Sequence, residues 1–314
     1  MGGLRIVYMG SPDFAVPSLQ AMIAAGYQPL AVVTRPDKPR GRGGQLTPTP
    51  VKLAALSGDL TVLTPVNVNT PEALDTMRAL KPDLLVVVAF GQILKRELLQ
   101  LPQLGAVNLH ASLLPAYRGA APIQRAIING ERESGVTTMY LNEGMDTGDI
   151  ILRAACEIGA GESGGRLHDK LMAIGAELLC RTIRLIEEGT APRQAQDNGL
   201  ATYAPPLTAE DERIDWRQSA RDIHNRIRAM NPWPGAYTMW DGKRLKLWQS
   251  LTRLSRFQAE PGETVAVDRQ GIWLSTGEGE LCLTEVQPQG KNRMAACAFA
   301  RGYGVQAGLK LAKY

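Results

Sequence analysis

Residues 83–89, DLLVVVA, constrain this chain more than any other stretch. A run without a polar face must be buried on both sides, as a central strand of a helix-covered parallel sheet is. Residues 4–9 (LRIVYM), 29–34 (PLAVVT) and 105–109 (GAVNL) read as its companions. Residues 13–24, 71–80 and 119–128 read as helices between strands, the first with Ser11 as a candidate cap and Pro12 at a tolerated early position. A long helix follows at 163–187, with Leu167, Leu171, Ile174, Leu178 and Ile186 in its apolar positions. This alternation predicts an α/β fold with a Rossmann-like, doubly wound, mainly parallel sheet. The turn after the first strand reads GSPDFA rather than G-x-G-x-x-G. It lacks the glycines that let a backbone approach a pyrophosphate, so no nicotinamide cofactor is expected.

The pattern changes after Gly189. Residues 189–209 are polar and broken by prolines, which reads as a linker. Beyond it lie a helix at 219–230 and short strands at 243–248, 263–268, 271–276 and 280–286, joined by glycine-containing turns. Such a series predicts a small OB-like β-barrel. The expected organisation is therefore a first domain over 1–189, a linker over 190–208 and a C-terminal domain over 209–314.

Composition removes several classes. No apolar run reaches the roughly 18 residues of a membrane helix, and MGGLRIVYMGSP has no basic leader, so a cytoplasmic protein with no membrane partner is expected. The four cysteines form no C-x-x-C pair and no metal-ligand spacing with the three histidines; no metal site is expected. Net charge is +4. Residues 1–209 balance at 19 basic and 19 acidic side chains, whereas 210–314 hold 16 against 12. Within the balanced part, Arg35, Lys38, Arg40, Arg42 and Lys52 face Asp37 alone in one loop. Charge gathered in a loop and in the C-terminal part suits a polyanion.

The chemistry concentrates in VNLHASLLP at 107–115. In an extended segment Asn108 and His110 project to one side, at the carboxyl end of a strand, where open α/β sheets place their sites. An amide donor beside an imidazole suits a carbonyl oxygen that becomes an oxyanion. The loop NEGMDTGD at 142–149 offers carboxylates that could orient the imidazole and favour its charged form. His110 as a hydrogen-bonded structural residue, and DTGD as a plain reverse turn, remain open at this point. Ser112 lacks the G-x-S-x-G turn of a serine nucleophile. His168 and His224 read as structural or surface groups.

At these residues a resemblance takes over. NLHASLLPAYRGAAPIQRAI (108–127) and MDTGDI (145–150) are similar to the 10-formyltetrahydrofolate-dependent formyltransferase family. MGSPDFAVPSL (9–19), TRPDKPRGRGGQLTPTPVK (34–52), ATYAPPLTAEDERIDW (201–216), RAMNPWPGAY (228–237) and PQGKNRM (288–294) resemble its methionyl-tRNA branch. Ser11 and Asn292 stand where threonine and lysine are frequent in that branch. The resemblance implies transfer of a formyl group from 10-formyltetrahydrofolate to the α-amino group of methionyl initiator tRNA, by a monomer needing no metal. It places Asn108, His110 and Asp146 on catalytic positions. It puts the folate slot along Phe90, Gly91, Gln92, Ile93 and Leu94, with Ser112, Leu113, Leu114, Pro115, Asn142 and Glu143 completing it. The C-terminal domain becomes a tRNA-binding module, with Arg35, Lys38, Arg40, Arg42, Lys291 and Arg293 as expected tRNA contacts. A small-molecule formyltransferase, a folate hydrolase and a non-catalytic tRNA-binding protein are the alternatives; the intact Asn108, His110 and Asp146 speak against the last.

Overall fold

The computed structural model describes residues 3–40, 44–256 and 258–311, without the side chain of Arg40. Its contacts divide into two compact units that are discontinuous in sequence. The first comprises Met1–Gly119, Ser134–Cys156 and His168–Ala204; the second comprises Ala120–Glu133, Glu157–Leu167 and Pro205–Tyr314.

A seven-stranded sheet organises the first unit. Five strands, in the order Val62–Leu63, Ala31–Val33, Ile6–Gly10, Leu84–Val88 and Ala106–His110, are parallel neighbours. All residues of Leu84–Val88 are buried, as its unbroken apolar run requires. Glu133–Tyr140 then pairs antiparallel with Ala106–His110, setting Asn108 opposite Met139 and His110 opposite Thr137. Ile150–Glu157 completes that edge. The sequence reading contained neither of these two strands. Thr137 and Thr138 are fully buried, so the segment lacks an apolar alternation; their hydroxyls bond to the Ser112 carbonyl at 2.7 Å and the Thr182 hydroxyl at 2.8 Å.

The helix Gly164–Glu187 closes on Ala106–His110 through Gly175. A Cβ there would stand 2.7 Å from Leu109 Cδ2, so a larger residue would have to push that side chain aside. Leu109 therefore faces the helix, which leaves Asn108 and His110 on the other side of the strand. Helix Pro71–Leu80 forms where expected, its Thr70 side chain accepting from Ala73 N at 3.3 Å. The cap expected at Ser11 does not form. A short 3-10 turn, Asp13–Ala15, precedes helix Val16–Ala24. The Ser11 hydroxyl donates instead to the Phe90 carbonyl at 3.0 Å and accepts from Arg35 N at 3.3 Å, tying three strand ends together. Lys38–Arg40 pairs antiparallel with Gln45–Thr47.

The second unit holds an antiparallel sheet in the order Tyr237–Trp240, Lys243–Arg253, Glu280–Pro288, Ile272–Ser275 and Thr264–Val267. Register shifts at Leu247–Gln249 and Gln249–Ser250 bend its longest strand, and the sheet curls into a half barrel where the sequence predicts a small barrel. Ile223 and Ile227 of helix Ala220–Ala229 pack with Leu245, Leu247, Leu281, Leu283 and Phe299 in its core.

One ion pair of this unit was not apparent from sequence. The Arg125 guanidinium grips both Asp211 carboxylate oxygens, at 2.7 and 2.8 Å. With burial opposing and Thr208 N–H assisting, this contact holds the Asp211 carboxyl down at about 2, against an ordinary 3.8. The depressed value stabilises the fold fully above the unfolded value, and that stability drains away as pH falls towards 2. The shift corresponds to about 2 kcal/mol. Asp211→Asn is accordingly expected to lower unfolding free energy by about 2 kcal/mol at pH 6, and by about half of that at pH 3. Urea titrations at the two pH values check this; a pH-independent difference contradicts it.

Candidate active site

Asn108 and His110 lie on the same face at the end of Ala106–His110, two residues apart. His110 is buried and its Nε2 lies 3.0 Å from the Tyr117 carbonyl oxygen. A carbonyl only accepts, so Nε2 carries the proton and that contact fixes the ring plane. Nδ1 stands 3.7 Å from Asp146 Oδ2, which is an ion-pair distance and too long for a hydrogen bond. The ring is thus oriented by Tyr117 rather than by a carboxylate, and Nδ1 is the nitrogen left for a ligand. Among the described residues the Asn108 side chain has no hydrogen-bond partner, and it is only partly buried. An unspent amide donor beside a ring nitrogen that donates once it takes a proton is what an incoming carbonyl oxygen needs.

Asp146 sits in the left-handed region at φ +53°, which costs a non-glycine residue. The surroundings over-determine it. Its Oδ2 accepts from Gly119 N at 2.8 Å. The Asn142 side-chain oxygen takes Gly144 N at 3.0 Å and the Thr147 hydroxyl at 2.8 Å, closing the loop below it. Gly148 is obligatory, because a Cβ there would fall inside the Tyr140 carbonyl oxygen.

The remaining sequence-derived residues spread over several environments. Phe90, Leu94, Ser112 and Leu114 are buried. The Ser112 hydroxyl donates to the Ala116 carbonyl at 2.6 Å and Leu114 N to Thr137 Oγ1 at 3.1 Å, so both are occupied internally. Gln92 accepts from Val68 N at 2.9 Å. Gly91, Asn142 and Glu143 are exposed, Leu113 and Pro115 half-buried, and Ile93 is 80% exposed. Arg35 leaves the basic loop: its guanidinium rests against Gly91, 3.3 Å from the place of a Cβ. Lys38 and Lys291 are exposed. The Arg293 guanidinium lies 3.6 Å over the Trp248 ring and 3.9 Å from Glu285. Arg42 falls outside the described residues, as does the side chain of Arg40. His168 touches Asp169 at 3.0 Å and packs edge-on to Phe14, and His224 bonds Ser250 at 2.9 Å. Among the described residues no group of three or more His, Cys, Asp or Glu could hold a metal ion.

Sequence reasoning missed Tyr117, which orients the histidine through its backbone and carries no side-chain signal. It also missed Gly119 as a donor to Asp146, although both residues fall within quoted motifs.

Comparison with known proteins defines the class. Residues 4–183 match the formyl transferase family and residues 206–304 the formyl transferase C-terminal domain. The chain is 51% identical over 309 residues to a methionyl-tRNA formyltransferase of Desulforamulus reducens, covering 98% of both chains. It is 52% identical over 300 residues to one of Moorella thermoacetica, covering 96% of each. An N-formyltransferase structure from Helicobacter canadensis, in complex with folinic acid and dTDP-3-aminofucose, shares the fold. There the TM-score is 0.67 at 20% identity, over 91% of this chain and all of that one. The chain belongs to the methionyl-tRNA formyltransferase family.

The packing around Asp146 carries a direct expectation. Gly148→Ala forces the loop off Tyr140, destabilising the protein by roughly 1–3 kcal/mol as an overpacked site does, and formyl transfer falls at least tenfold. Turnover measured beside thermal unfolding checks both; full turnover in a normally folded variant contradicts it.

Proposed function

We propose that this chain transfers the formyl group of 10-formyltetrahydrofolate to the α-amino group of methionyl initiator tRNA, releasing tetrahydrofolate and supplying N-formylmethionyl-tRNA for translation initiation. The observation that carries the roles of the residues is the free Asn108 amide beside the ring nitrogen of His110, with the Asp146 carboxylate 3.7 Å from that nitrogen.

The neutral methionyl amine attacks the formyl carbon, and the carbonyl oxygen becomes an anion as the tetrahedral centre forms. Asn108 and the doubly protonated His110, through Nδ1–H, donate to that oxygen. Each such donor is worth about 2.7–4 kcal/mol in comparable sites. Asp146 offsets the imidazolium charge and passes the amine proton, directly or through water, towards the nitrogen on which tetrahydrofolate leaves. Collapse of the centre breaks that carbon–nitrogen bond and leaves the formyl group on methionine.

The folate slot in this reading runs along residues 90–94, closed by 112–115 and by Asn142 and Glu143. Of these, exposed Gly91 and Ile93 present backbone and apolar surface, whereas buried Phe90, Leu94, Ser112 and Leu114 shape the wall from behind. Residues 1–189 form the catalytic domain, 190–208 the connecting segment and 209–314 the tRNA-binding domain. Lys38, Arg40 and Arg42 meet acceptor-stem phosphates, with Lys291 and Arg293 tracking the backbone; such contacts set affinity and weaken with salt. Arg35 joins them from its place against Gly91. The protein works as a cytoplasmic monomer. Among the described residues no helix is long and apolar enough to cross a membrane.

The test of this reading is formation of N-formylmethionyl-tRNA with one equivalent of tetrahydrofolate, using methionyl elongator tRNA and free methionine as controls. Labelling of the initiator species alone is expected; folate release without labelling would mean a hydrolase. In the same assay Asn108→Ala is expected to lower kcat by about 10²–10³ with little change in tRNA affinity. Arg42→Ala is expected to raise KM for tRNA and leave KM for the formyl donor within twofold; unchanged tRNA kinetics would remove that residue from the interface.

A further inference from the structure

We infer that Gln196, held by the buried Arg118, is a positioning residue for Asp146, so that a side chain from the polar, proline-broken segment sets the geometry of formyl transfer. This rests on the reading of the site given above.

The geometry leaves the amide one orientation. Arg118 is 2% exposed and its guanidinium can only donate. It does so twice to Gln196 Oε1, from Nε at 3.1 Å and Nη2 at 2.8 Å, while Nη2 also reaches Asn198 Oδ1 at 3.0 Å. The oxygen end of Gln196 must therefore face Arg118. Its Nε2 donates to two backbone carbonyls, those of Asp146 and Gly148, each at 2.8 Å. Carbonyls can only accept, so donors and acceptors match at every contact and a flipped amide would lose all four.

Gln196 thus grips the backbone on both sides of Thr147. Asp146 needs such a grip, because its φ of +53° is one that a non-glycine residue abandons when released. Gly119, next to Arg118 in sequence, holds the Asp146 carboxylate from the other end at 2.8 Å. Arg118 and Gly119 in turn pair with Tyr203 and Ala204. One short stretch therefore fixes the Asp146 carboxylate through Gly119 and its carbonyl through Gln196. Gln196 touches no reacting atom in this arrangement; it acts through Asp146.

Gln196→Glu separates this role from simple support. It keeps the shape and strengthens the contact to Arg118, but replaces a donor by a charged acceptor facing two carbonyls. In the full-length chain with methionyl initiator tRNA and 10-formyltetrahydrofolate, the expected result is a 10–100-fold lower kcat, with both KM values within threefold of the unaltered protein. The decisive readout is the double-mutant cycle with Asp146→Asn: in that background Gln196→Glu is expected to cost less than threefold. An equal loss in both backgrounds, an unchanged kcat, or a rise in KM alone would overturn the inference. Should Gln196→Glu fail to fold, Gln196→Ala is read in the same cycle with the same expected coupling. Absence of transfer by the unaltered chain would overturn the reading of the reaction itself; transfer without coupling would overturn only this inference.

Discussion

The placement of the Asp146 carboxylate is the constraint on which the site depends. A carboxylate on a loop has many accessible positions, and only one serves a histidine whose ring plane is already set. The chain removes that freedom by holding Asp146 in a left-handed conformation, with its oxygen on Gly119 N and its loop closed by Asn142 and Gly148. Burial does the remainder. His110 and Asp146 are largely withdrawn from water at a separation of 3.7 Å, where the carboxylate acts on the ring more strongly than across solvent.

The sheet fixes the other half. Leu109 must face the helix at Gly175, so the strand's alternation delivers Asn108 and His110 together to the opposite face. Their position at the end of Ala106–His110 follows from the parallel order of the strands, whose carboxyl ends Ser11 ties by bonds to Phe90 and Arg35. The site accordingly draws on a rigid strand for its donors and on an immobilised loop for its charge.

How much of this is legible in the residues depends on where the information sits. Leu84–Val88 and Ala106–His110 are readable because burial on both faces demands continuous apolar side chains, and Asn108 and His110 stand out as polar residues closing such a run. Glu133–Tyr140 is hidden because it is buried through paired threonine hydroxyls instead of hydrocarbon. The Pro50–Ser57 helix is masked by the basic loop before it, even though Thr49 and Pro50 form a regular start. Tyr117, Gly119 and Gln196 are least legible, since they act through backbone atoms or join segments about 50–80 residues apart. Residues 190–208 look like slack chain for the same reason. The contacts that fasten them, such as Gln194 with Ile150 and Tyr203 with Arg118, reach strands far away in sequence.

The most direct test of the account is a single-turnover measurement on Asp146→Asn with both substrates saturating, alongside equilibrium binding of each. The substitution keeps the shape and the contact to Gly119 while removing the charge beside His110. The account predicts a transfer rate at least a hundredfold lower and both dissociation constants within threefold. An unchanged rate, or binding weakened in proportion to the rate, would contradict it.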